Sequence, residues 1–107
     1  MLFRFKSKVT GDLILLEPAG RRLLRIVGKE PSAVGIIEPA QMAQAIAALE
    51  RAIADEEIRQ REAAERAAEQ GEAAPPLPEV SLRQRARPFI DMLRRCVAAG
   101  EPVVWGV

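Results

Sequence analysis

From Arg59 to Ala74 the chain has no apolar residue larger than alanine. Any core must therefore be assembled from the segments on either side. Only large apolar side chains remove enough surface from water to offset the entropy of ordering a chain. Up to Gly71 the gap is written in Ala, Glu, Arg and Gln, all good helix formers. It then turns to Pro75, Pro76 and Pro78. This pattern predicts a charged helical extension over 54–70, solvated and frayed past Ile58, and a proline-rich internal loop over 71–80. With no large residues at heptad positions the extension is not a coiled coil. The two flanks supply one modest core, and 107 residues make a single domain, 1–107.

The flanks alternate between two periods. Phe3 and Phe5 alternate with Arg4 and Lys6, the period of a strand with one buried face. Asp12–Leu16 is either a short buried strand or a helical turn. Leu15-Leu16-Glu17-Pro18-Ala19 is echoed by Ile36-Ile37-Glu38-Pro39-Ala40, which favours the extended reading. In both copies a proline opens a helix, since its missing N–H would lack a partner there anyway. The first helix buries Leu23, Leu24 and Val27, turns Arg21, Arg22 and Arg25 to water, and stops at Gly28. The second carries a core stripe of Met42, Ile46, Leu49 and Ile53. The third is capped by Ser81 and buries Leu82, Ala86, Phe89, Ile90, Leu93 and Val97, with a kink expected at Pro88. After Gly100 a closing strand puts Val103, Trp105 and Val107 on one face. Phe3, Phe5, Val103 and Trp105 are expected to share that face. The fold class expected is α+β: three main helices with a small sheet formed largely by the N- and C-terminal strands.

There is no histidine, no tyrosine and one cysteine. That removes most side chains that transfer protons, ligate metals or attack carbon near neutral pH. No glycine-rich phosphate loop or paired-cysteine motif replaces them, so no cofactor or metal is expected. Cys96 has no histidine to activate it and lies next to the core stripe, which makes it an inert, partly buried thiol. Glu17, Glu38, Asp91 and Glu101 each have a structural reason to be where they are, and their spacing matches no metal-binding loop. No apolar run approaches the ~20 residues of a membrane span, and charges occupy the place of a signal peptide's apolar stretch. A soluble cytoplasmic protein is expected, with no membrane contact.

Charge is segregated although the net is only +1. Residues 1–30 hold seven basic and three acidic side chains, 50–70 hold four and seven, and 81–99 hold five and one. The acidic middle can neutralise its neighbours within the chain. The candidate interaction surface is Arg83, Arg85, Arg87, Arg94 and Arg95 on the third helix. Arginine forks there suit carboxylate or phosphate groups. Trp105 is either a surface anchor or a core plug. Four aromatic residues, all expected inside, leave no stacking platform for bases, which argues against nucleic acid.

Several residues also resemble a small bacterial family catalogued only as a domain of unknown function, found mainly in proteobacteria with GC-rich genomes. They are Phe5-Lys6-Ser7, Leu23-Leu24 with Gly28-Lys29, and Gly35-Ile36-Ile37 followed by Pro39. Leu82-Arg83-Gln84-Arg85-Ala86 with Pro88, Asp91-Met92-Leu93 and Trp105-Gly106 complete the set. The resemblance implies a compact bacterial cytosolic domain and brings no activity, cofactor or catalytic residue with it. The expected function is a non-catalytic protein-interaction or regulatory domain, with an unidentified protein partner or a second copy in a homodimer. The alternative is nucleic-acid or other anion binding through the arginine-rich third helix.

Overall fold

The computed structural model describes residues 2–106. The elements run β1 (Leu2–Lys6), β2 (Leu13–Leu16), α1 (Glu17–Ile26), β3 (Gly35–Ile37), α2 (Pro39–Glu69), α3 (Leu82–Ala99) and β4 (Val103–Trp105). This is the expected α+β arrangement. The strands form one antiparallel sheet in the order β2-β1-β4-β3, so strands from opposite ends of the chain are its two central members. The ambiguous segment is extended: Leu13–Leu16 pairs with β1, placing Leu15 opposite Phe3 and Leu13 opposite Phe5.

The period of two then sorts the side chains. Phe3, Phe5, Ile37, Val103 and Trp105 are buried on the helix side, and the Phe5 ring lies 4.8 Å from Phe89 of α3 and 5.7 Å from Trp105. Val107, expected on this face, lies outside the described residues. Leu2, Arg4, Ile14, Leu16, Ile36 and Val104 occupy the other face, which no described element covers. The Trp105 ring sits over Gly35 of β3, its Nε1 donating to the Ser32 carbonyl at 3.0 Å. A methyl group at Gly35 would run into its ring, so only glycine lets the indole sit there.

Pro18 and Pro39 stand at the starts of α1 and α2, as the echoed motif predicts. Met42, Ala45, Leu49 and Ile53 are buried along α2. Past Ile58 this helix runs on without a break to Glu69. The proline segment lies beside it. Glu72 N–H donates to the Ala67 carbonyl at 2.7 Å, and Pro75, Pro76 and Leu77 border a shallow groove with Arg59, Gln60 and Ala63 of α2. Residues before proline are held extended, so 74–78 run back along the helix as a strap.

At the start of α3, Gln84 N–H donates to Ser81 Oγ at 3.1 Å, and Ser81 N–H donates to Gln84 Oε1 at 2.9 Å. This reciprocal cap satisfies two backbone donors that the helix leaves open. Leu82, Ala86, Phe89, Ile90 and Leu93 are buried as the spacing predicts. Val97 is not: it is 40 % exposed, and Met92 and Cys96 are buried instead. The last turn packs on the end of β1 through Cys96, whose thiol donates to Ser7 Oγ at 3.1 Å, and this rolls Val97 outward. The helix is continuous through Pro88. That ring lies on the exposed side, where water can satisfy the carbonyl it leaves without a donor.

Candidate interaction face on α3

Arg83, Arg87, Asp91 and Arg95 follow one another at four-residue intervals, so they form a single ridge along the exposed side of α3. Arg94 falls beside that ridge. Arg85 does not, because two residues carry a helix more than half a turn; it is half-buried at the opposite margin. Trp105 is removed from the surface altogether, being 2 % exposed, and is a core residue. Of the six candidate residues, four are brought together and two are separated from them.

The ridge is clasped to α2. Arg83 Nε and Nη2 donate to the two oxygens of Glu57, both at 2.8 Å. This two-pronged geometry is the strong form of the pair. It holds the Glu57 carboxyl below its usual 4.5, through the Arg83 hydrogen bonds first, with desolvation opposing them and the charges of Arg83 and Arg61 adding to the lowering. The Arg83 guanidinium is correspondingly pushed up by Glu57. Arg94 Nη2 donates to Glu50 Oε1 at 3.4 Å. Arg87 and Arg95 make no hydrogen bond or ion pair among the described residues. Arg83, Arg87 and Arg94 line, with Glu50, a groove of about 230 Å³ between the two helices.

The acidic candidates are dispersed. Glu17 is bound to Arg21 at 2.8 Å one helical turn on. Glu38 precedes α2, where its backbone N–H donates to Gln41 Oε1. Among the described residues no group of three or more metal-ligating side chains could hold an ion. Cys96 is fully buried, out of reach of any substrate. Phe3, Phe5, Phe89 and Trp105 are all buried, so no aromatic face is presented to a base.

One organising residue had no sequence signal beyond its charge. Glu56 accepts from Arg22 Nη2 of α1 at 3.2 Å and from the Leu82 backbone N–H of α3 at 3.1 Å. One carboxylate on α2 thus joins all three helices and satisfies a first-turn donor of α3.

No helix among the described residues is long and apolar enough to cross a membrane. The chain belongs to the family described as domain of unknown function DUF1840, whose model matches residues 1–105. No curated protein and no solved structure matches it.

Proposed function

We propose that this family member is a non-catalytic protein-interaction domain that engages an acidic partner protein through the ridge of α3. The observation that carries this reading is the contrast within the ridge. Arg83 is held in place by Glu57, while Arg87 and Arg95 present guanidinium groups with no partner among the described residues. A rigid helix fixes the spacing of such groups, and the planar guanidinium forks suit carboxylates. The lone thiol, buried as a small core side chain, fits a reducing bacterial cytoplasm as the setting.

A second reading, an oligonucleotide or other phosphate anion on the same arginines, shares the ridge but lacks stacking faces. Capture from cells expressing a tagged chain, with and without nuclease, separates the two. The reading expects a partner protein retained after nuclease and lost with Arg87→Ala/Arg95→Ala, at unchanged thermal stability. Capture that is unaltered by the double substitution rejects the ridge. Capture that disappears with nuclease, and weakens steeply with salt as released counterions require, assigns the arginines to phosphate instead.

A further inference from the structure

Beyond Glu57 the second helix continues for a stretch that no core requires. Glu57 is clasped to Arg83 at the start of α3, and Glu50 to Arg94 farther along it. The two helices therefore run antiparallel, and α2 passes the beginning of α3. From Ile58 to Glu69 it extends about 18 Å, at ~1.5 Å per residue, and of these residues only Ala67 is buried.

Along the outer side of this extension Ile58, Glu62 and Arg66 follow one another at four-residue intervals, with Glu69 beside the end of the row. Ile58 is 44 % exposed. The side chains of Glu62, Arg66 and Glu69 make no hydrogen bond or ion pair among the described residues. The ridge on α3 is the counterpart of this row. Arg83, Arg87 and Asp91 stand 25 positions after Ile58, Glu62 and Arg66, and Asp91, like Arg87 and Arg95, has no partner among the described residues. One row reads acid, base, acid; the other reads base, acid, base.

We infer that the ridge binds a second copy of this chain, whose α2 extension lies along it about a two-fold axis passing at Ile58. The inference rests on the reading of the ridge as a carboxylate-binding surface, and it names what supplies the carboxylates. Such an axis sets the α2 helices of the two copies antiparallel, so each extension runs in the same direction as the other copy's α3. Because the Glu57–Arg83 clasp puts the start of α3 level with Ile58, each step past the axis along α2 matches a step along α3. Glu62 of one copy then falls at Arg87 of the other, Arg66 at Asp91, and Glu69 within one residue's rise, about 1.5 Å, of Arg95. The two Ile58 side chains meet at the axis. Helices crossing at about 20–50° carry each extension sideways from α2 onto the neighbouring α3. A register four residues longer or shorter sets Glu62 against Asp91 or Arg66 against Arg87, so the alternation of sign excludes both. A run of phosphates would meet Asp91 in the middle of the ridge, whereas a helix of alternating sign offers it a cation. The contact is made twice and closes on itself. Exposed ion pairs are individually weak and screened by salt, so the dimer is dissociable.

Sedimentation equilibrium of the full chain in low salt tests this, over about 5–500 µM because small, charge-led contacts are weak. The expected result is a mass rising towards twice the 11.7 kDa of one chain. Glu62→Arg/Glu69→Arg should raise the dissociation constant at least about tenfold, because like charges then face each other. Arg87→Glu/Arg95→Glu should do the same, and mixing the two variants should restore the dimer, since each supplies the charges the other lacks. Far-UV circular dichroism checks folding, and Ile58→Asp, which sets two acids together at the axis, is the further variant should either swap fail to fold. A single-chain mass throughout the range overturns the inference. The reading of the ridge survives that result if another protein is still captured through Arg87 and Arg95 after nuclease. A dimer that persists in a folded swap variant, or swap variants that stay apart when mixed, overturn the inference equally, since the contact would then lie elsewhere.

Discussion

Glu56 does at the scale of one residue what short connections do in larger folds. Its carboxylate receives the Arg22 guanidinium and the Leu82 amide while only 15 % of the side chain is exposed. Charge-assisted bonds in a partly dry setting exceed ordinary ones, and removing the acceptor leaves a first-turn amide unsatisfied. Glu56→Ala should therefore lower unfolding free energy by about 1–3 kcal/mol in urea titrations, the scale expected for orphaning a hydrogen-bond donor. The neighbouring Glu62→Ala on the exposed side should change it by less than about 0.5 kcal/mol. None of this was legible in the sequence, where Glu56 is one acid among many in 50–70. Its partners lie 34 and 26 residues away, and nothing local marks them. Residues whose role depends on their own element were readable: Ser81 as a cap, Pro18 and Pro39 as helix openers, and Phe3 with Phe5 as one strand's buried face. Trp105 fell between these cases. Alternation placed it with the core side chains, but the Gly35 seat that fixes its ring needed the pairing of β3 with β4.

Among the elements, the contact between α2 and α3 is where the charge pattern becomes structure. The expectation that the acidic middle neutralises its neighbours is met by Glu57 on Arg83 and Glu50 on Arg94. That part of the candidate site could be read in advance. Which arginines stay unpaired could not, because it depends on how two helices cross. The clasp has a pH signature. The Glu57 carboxyl is held below its usual 4.5 by Arg83, so the clasp's contribution is fully present above that value. It is lost as pH falls through the lowered one, because protonation removes the acceptor and the charge together. Urea unfolding from pH 6 down to 3 should show the wild type losing stability more steeply below pH 4.5 than Arg83→Gln. In that variant the carboxyl returns toward its ordinary titration. Parallel curves would mean that the solvent-exposed pair contributes nothing measurable. The Arg59–Glu69 portion of α2 shows a different limit. Composition correctly gave helix formers without a core stripe, but it could not show that the proline strap lies alongside them.

For the whole molecule, the decisive fact is that β1 and β4 are neighbours in the centre of the sheet. The alternating patterns at the two chain ends made their shared face legible. The strand order was not, because β2 and β3 are short and similar and either could have been central. Pairing segments so far apart closes almost the entire chain into one loop, so folding is expected to be cooperative and slow for this size. A chain ending at Gly100 loses Val103 and Trp105 from the core and leaves Phe5 without its central-strand neighbour. It should show no cooperative thermal transition by circular dichroism, whereas removing the charged tip 62–72 with a short glycine bridge should retain one.

The same placement of β4 bears on how the protein is made. A ribosome delivers residues in order, and β4, the central partner of β1, emerges after every other element of the domain. Until Trp105 has left the exit tunnel, Phe3 and Phe5 have only β2 beside them, and the middle of the sheet cannot close. Helices α1 and α2 can form as they emerge, but the sheet is completed only once β4 has cleared the tunnel, with Phe3 and Phe5 exposed in the meantime. Such an intermediate is the kind of surface that chaperones at the ribosome are built to shield.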